Sequence, residues 1–268
     1  MSKEVTIRCI FCKGCTLDSV SVEHIVPESL GNQSHVLRSG IVCDSCNNYF
    51  ATKVEQPVLE SPRFRHKRGM HAIPSKRGRF PSVPGLAPPD ISVELHRERR
   101  TGTPHIVIRN DDDSSAVDRF FKFTQDGGGV LFFPSGGTPP PKNIFARFLA
   151  KMALEAIAQR LADTDGGINY VVTEAQFDPI RDFARRGSHL NWPYNERRIY
   201  PEDQIDGEGQ ILHEYDFLVT DQSEWYFVIA ILGVEYSINL GGPEIEGYER
   251  WLADHDHESP LYTGKYKP

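Results

Sequence analysis

Residues 21–50 read SVEHIVPESLGNQSHVLRSGIVCDSCNNYF. Val20, Val22 and Ile25–Val26 predict a short strand that Pro27 ends. Ile41–Val42 predicts a second strand, running into Cys43-x-x-Cys46. From Asn47 the pattern turns helical: Phe50, Val54 and Val58 recur at i, i+4 and i+8, and Pro57 predicts a stop near Gln56. Upstream, Cys9-x-x-Cys12 forms a second pair, 30 residues before Cys43. Each pair suits a tight knuckle that aims two thiolates at one tetrahedral metal, so Cys9, Cys12, Cys43 and Cys46 are expected to hold a structural Zn²⁺. Disulfides are the alternative. They are disfavoured by the odd count of five cysteines and by an N-terminus without a signal-peptide h-region. Cys15 could replace Cys12 as a ligand, but the two-residue spacing on both sides favours Cys12. The local order is strand, loop, strand, helix, with zinc tying the strand bases to the helix start.

This arrangement resembles the ββα-metal fold of the HNH endonuclease family. The resemblance rests on Glu23-His24-Ile25-Val26-Pro27, on Gly31-Asn32, and on Cys43-x-x-Cys46-Asn47-Asn48-x-Phe50, and covers residues 9–56, about a fifth of the chain. It implies that His24 is the catalytic base, that Glu23 is the acidic metal ligand usually written Asp, and that Asn47 completes the metal site. The residue chemistry agrees. An imidazole is largely neutral near physiological pH and can take a proton from water. A carboxylate and an amide oxygen suit Mg²⁺ or Mn²⁺. Adjacent residues of an ideal strand face opposite ways, so Glu23 and His24 are expected at a strand end or irregularity. The family often carries Asn in the loop before the second strand, where it fixes the backbone. Here His35 or Asn32 fills that role. Ala51 stands where some members place a further metal-binding His, which favours an oxygen-ligated Mg²⁺ site. Glu55, two turns beyond Asn47, reads as a solvated charge.

Residues 61–80 contain Arg63, Arg65, Lys67, Arg68, Lys76, Arg77 and Arg79 with no acid among them. Cations beside such a module can neutralise phosphates without reading sequence. Residues 81–90 are Pro-rich and read as a linker. The expected organisation is therefore a nuclease module at 1–60, a basic arm and linker at 61–90, and an α+β domain at 91–268 with mainly antiparallel strands. Within that domain, strands are predicted at 91–95, 106–108, 130–133, 170–172, 211–220, 225–232 and 234–240. Helices are predicted at 143–162, 174–186 and 245–253. The apolar stripe of the 143–162 segment reads as core. Arg181, Arg185, Arg186, Arg197 and Arg198 surround Gly187-Ser188-His189 and read as balancing nearby acids.

The chain has 268 residues, 39% hydrophobic and 25% charged, a balance that buries a core and excludes wholesale disorder. No window approaches the ~20 apolar residues of a membrane span, and a cytoplasmic location without membrane contact is expected. The formal charge of −7 hides an asymmetry. Residues 1–80 carry 12 Lys and Arg against 7 Asp and Glu, a net of +5, which leaves 18 against 30, or −12, for the remainder. A cationic head on an acidic body invites a polyanion at the head. The expectation is a metal-dependent endonuclease acting on DNA, most simply double-stranded, and by analogy a restriction or anti-phage effector. One site per chain and two strands to cut suggest a homodimer through the C-terminal domain. The alternatives are a non-catalytic zinc-ribbon nucleic-acid-binding module and a ligand-gated regulator.

Overall fold

The computed structural model describes residues 8–88, 90–109, 115–125, 129–134, 136–187, 191–200 and 213–262. The fold is α+β: helices and antiparallel sheets, a four-cysteine cluster near the N-terminus, and a larger strand-rich C-terminal region. The chain forms two compact units. One comprises the residues up to Pro27, Asn32–Val58 and those from Pro141 onward; the other comprises Glu28–Gly31 and Leu59–Pro140.

In the first unit, β1 (Glu23–His24) pairs antiparallel with β2 (Val36–Leu37), His24 opposite Val36. The second strand therefore lies at 36–37, not at Ile41–Val42. Those two residues are buried in the turn into the second knuckle, where Ile41 O accepts from Ile10 N at 3.0 Å. The helix begins at Asp44 and runs as α1 (Asp44–Phe50), a π-helical stretch (Ala51–Glu55) and α2 (Gln56–Leu59). Pro57 does not stop it. Proline has no N–H for the carbonyl four residues back, and the ladder widens just before it, with Gln56 N donating to Ala51 O. Phe50, Val54 and Val58 are fully buried, as the spacing predicted.

The same unit contains α5 (Lys142–Leu161), α6 (Gly167–Thr173), α7 (Asp178–Arg186), α8 (Glu246–Asp254) and a four-stranded antiparallel sheet. The sheet consists of β6 (Tyr194–Arg198), β7 (His213–Val219), β8 (Trp225–Ile231) and β9 (Val234–Asn239), in the order β6-β9-β8-β7. Residues 211 and 212 of the predicted strand lie outside the described residues. Tyr170–Val172 is helical, against expectation. Gly166, at φ 70°, starts a helix in which Val171 and Val172 face inward. Residues 145–158 of α5 are all buried, so this helix has cover on every side. Phe145 packs its ring 4.7 Å from that of Tyr236 on β9.

The second unit holds α3 (Pro62–Met70), α4 (Ala116–Gln125) and the antiparallel sheet β3 (Val83–Ala87), β4 (Ile91–Arg97), β5 (Pro104–Ile108). Residues 130–133 add only a bridge from Phe132 to Leu86. The expected arm and linker are thus folded. Ser61 caps α3 by accepting from Phe64 N, Pro62 supplies its first turn, and Phe64 is buried. Gly69 lets the helix touch the sheet: a Cβ there would lie 2.3 Å from Val83 Cγ2 and 2.8 Å from Pro81 O. Ala87, Ile91, Val93 and Ala116 form the core of this unit.

Candidate functional site

The sulfurs of Cys9, Cys12, Cys43 and Cys46 lie within 4.8 Å of one another, and Cys12 Sγ is 3.6 Å from Cys43 Sγ. Tetrahedral zinc with bonds of about 2.3 Å needs sulfurs close to this spacing. Backbone N–H groups of Phe11 and Cys43 donate to Cys9 Sγ, each at 3.4 Å, as a thiolate requires. The Cys46 thiol hydrogen bond pulls Cys9 down to about 5. That same bond, with burial and the neighbouring sulfurs, pushes Cys46 up. Thiolates crowd one another here, and a divalent cation is what lets all four deprotonate together. The donor set fits zinc. Cys15 is exposed and outside the cluster. Among the described residues these four cysteines are the one grouping of three or more His, Cys, Asp or Glu ligands close enough to share an ion.

The cluster fixes the start of α1, and α1 fixes the strand before it. Asp44 accepts from Ser21 N at 2.9 Å, Ser21 Oγ at 2.6 Å and Val20 N at 3.2 Å. The Ser21 hydroxyl holds the Asp44 carboxyl below its ordinary range. Asn47 donates from its amide nitrogen to Val22 O at 3.4 Å, which leaves its amide oxygen as an acceptor. Across the loop, Asn32 is fully buried. Its nitrogen donates to Val26 O and His35 O, and its oxygen accepts from Ser34 N and His35 N, all within 3.0 Å. Asn32 is therefore the side chain that fixes this loop. The His35 ring instead packs 4.8 Å from Tyr215 and 5.3 Å from His213, and burial lowers its pKa.

Glu23 and His24 are the two residues of β1, the first buried and the second half-buried. Glu23 is 5% exposed, and its Oε1 lies 2.5 Å from Lys151 Nζ on α5. Lys151, itself fully buried, also reaches Glu55 Oε1 at 2.6 Å and Glu155 Oε2 at 3.0 Å, and donates to His24 O at 3.2 Å. Burial opposes the Lys151 charge, but Glu155, Glu23 and Glu55 outweigh it and raise its pKa well above the ordinary value. Burial likewise raises Glu23, and raises Glu155 strongly. One ammonium faces three carboxylates here, and burial works against the charged form of Glu155 most strongly. Glu23 Oε2 and His24 Nδ1 are buried without a hydrogen-bond partner. A buried carboxylate oxygen in that position fits a hard cation, which binds through few protein oxygens and keeps most of its waters.

Sequence reading placed Glu55 in solvent and missed Lys151 and Glu155. The available signal was a polar residue at every fourth position of the otherwise apolar stretch 144–159: Arg147, Lys151, Glu155, Gln159. All four serve the N-terminal segment or its neighbours. Arg147 donates to Tyr49 OH at 2.6 Å and to Ala184 O and Arg185 O, the last turn of α7. Gln159 donates to Val36 O at 3.3 Å and accepts from Tyr215 OH. Arg181 is buried and structural, donating to Ile10 O and Val171 O and pairing with Asp178. Arg197 pairs with Glu235. Ser188 and His189 lie outside the described residues.

The basic tract is divided by burial. Lys67 and Arg68 are under 10% exposed, and Arg68 donates to Leu59 O, so neither presents its charge to a phosphate. Arg65, Lys76, Arg77 and Arg79 are exposed, and Arg63 is half-buried. Among the described residues no helix is long and apolar enough to cross a membrane.

Residues 9–62 match the family model described as HNH endonuclease, about a fifth of the chain. No curated protein and no solved structure matches the chain.

Proposed function

We propose that the chain is a metal-dependent endonuclease of HNH type that hydrolyses phosphodiester bonds in DNA. The observation that carries this reading is the Glu23–His24 strand between the two cysteine knuckles, with Glu23 Oε2 buried and unpartnered inside the segment that matches the HNH family model. His24 accepts the proton of the attacking water. Glu23 and the amide oxygen of Asn47 hold Mg²⁺ or Mn²⁺. Bound there, the cation supplies charge for the phosphate and the departing 3′-oxygen. Zinc on the four cysteines is structural, because a closed four-thiolate site leaves no open position. Arg65, Lys76, Arg77 and Arg79 neutralise backbone phosphates.

The chemistry is tested on end-labelled duplex DNA and on RNA of the same sequence, with Mg²⁺ and with Mn²⁺. The account expects DNA fragments with ligatable 5′-phosphate ends. RNA cleavage with DNA left intact would move the substrate class. Tight retention of uncut DNA under every metal would favour a zinc-ribbon binding module.

A further inference from the structure

Helix α5 lies more than ninety residues beyond β1 in the chain, yet its Lys151 is placed against both residues of that strand. The ammonium meets the side chain of Glu23 and the backbone carbonyl of His24, so a single group touches the two positions that carry the chemistry. Its freedom is small. Lys151 is fully buried and surrounded by Glu23, Glu55 and Glu155 oxygens at 2.5, 2.6 and 3.0 Å. An ordinary structural ion pair would need one carboxylate. Here there are three, more carboxylate charge than one ammonium offsets, so a nearby cation would improve the balance. Glu23 Oε2 meanwhile has no hydrogen-bond partner. The lysine thus accounts for one oxygen of Glu23 and leaves the other unaccounted for.

Building on the reading of Glu23 as the ligand of the divalent cation, we propose that Lys151 is a positioning residue of the nuclease site: its ammonium pins Oε1 of Glu23 and leaves Oε2 for the cation. Glu55 and Glu155 fix the ammonium in turn. Metal-ligating carboxylates depend on such partners for their orientation, and losing one typically costs about ten- to hundredfold in metal affinity. The nuclease site then extends beyond the segment that matches the family model and includes α5.

The test uses the full chain and Mn²⁺ alone as probe. Lys151→Met together with Glu155→Met removes the ammonium and its i, i+4 partner and puts apolar side chains of similar length in their place. Mn²⁺ binding is read by electron paramagnetic resonance of the free ion, with zinc content and Tm as folding checks. The proposal expects about tenfold weaker Mn²⁺ binding or more at wild-type zinc content. Wild-type affinity in the double variant overturns the positioning role and leaves the ligand role of Glu23 standing. Wild-type affinity in Glu23→Gln removes the ligand role, and the proposal fails with it. One measurement needs no variant to fold. In protein carrying ¹⁵Nζ-lysine, the Lys151 ammonium resonance of the wild type should broaden with the first equivalent of Mn²⁺, and a resonance that stays sharp while Mn²⁺ binds overturns the proposal.

Discussion

Glu23 shows how far one residue can be read from sequence alone. Its candidacy as a hard oxygen ligand is read from its place before His24. Its partner is not, because Lys151 lies 128 positions away and only the fold brings it within 2.5 Å. Asn32 is the reverse case. A short amide after Gly31 is one of two loop residues that the sequence leaves open, and four hydrogen bonds single it out. Glu155 permits a sharp pH test. Burial raises its folded pKa above the unfolded value, so its contribution to stability is full below the unfolded pKa and is lost as pH rises through the folded one. Glu155→Gln stays neutral throughout. In thermal scans from about pH 6 to about pH 10 the variant should gain on wild type as pH rises. Parallel curves would mean that Glu155 is ionised in the fold.

At the scale of elements, what the sequence shows depends on length and period. The Phe50, Val54, Val58 face and the long apolar helix were both legible, because a 3.6-residue period repeats often enough to be seen. The β1–β2 hairpin has two residues a side, too few for alternation to register, and the second strand was misplaced by five residues at Ile41–Val42. Tyr170–Val172 misled for a related reason: three β-favouring residues outvote one glycine in a local reading, while the fold needs a helix there. The arm at 61–70 became a helix because Ser61 and Pro62 start it and Phe64 has a core to enter. The knuckles were legible as spacing, and they separate ligand from bystander experimentally. Cys46→Ser should lose bound zinc and the cooperative unfolding of its unit, whereas Cys15→Ser should keep about one zinc per chain. Elemental analysis with calorimetry checks both. Zinc loss in the Cys15 variant would reassign the fourth ligand.

Across the whole molecule, the net charge of −7 misleads until it is divided by region. The excess of cations lies before residue 81, and burial withdraws Lys67 and Arg68 from it. What remains exposed defines a prediction about salt. Serine at Lys76, Arg77 and Arg79 should weaken DNA binding across sequences and flatten the salt dependence, by about 0.9 in log–log slope for each phosphate no longer neutralised. Serine at Lys67 should leave the slope unchanged. Fluorescence anisotropy over a range of salt concentrations checks both. The C-terminal region was legible as antiparallel α+β. Its attachment to the N-terminal segment was not, because it runs through α5, whose polar stripe is hidden among apolar neighbours. The central claim is that His24 is the base of a metal-dependent nuclease. It is tested most directly by incubating supercoiled plasmid with the purified chain in Mg²⁺ or Mn²⁺, beside His24→Ala and an EDTA control. The account predicts nicking or linearisation by wild type, loss in EDTA, and a rate lower by about 10²–10⁴ in His24→Ala at unchanged Tm and zinc content. Equal cleavage by wild type and His24→Ala, or none by either, would contradict it.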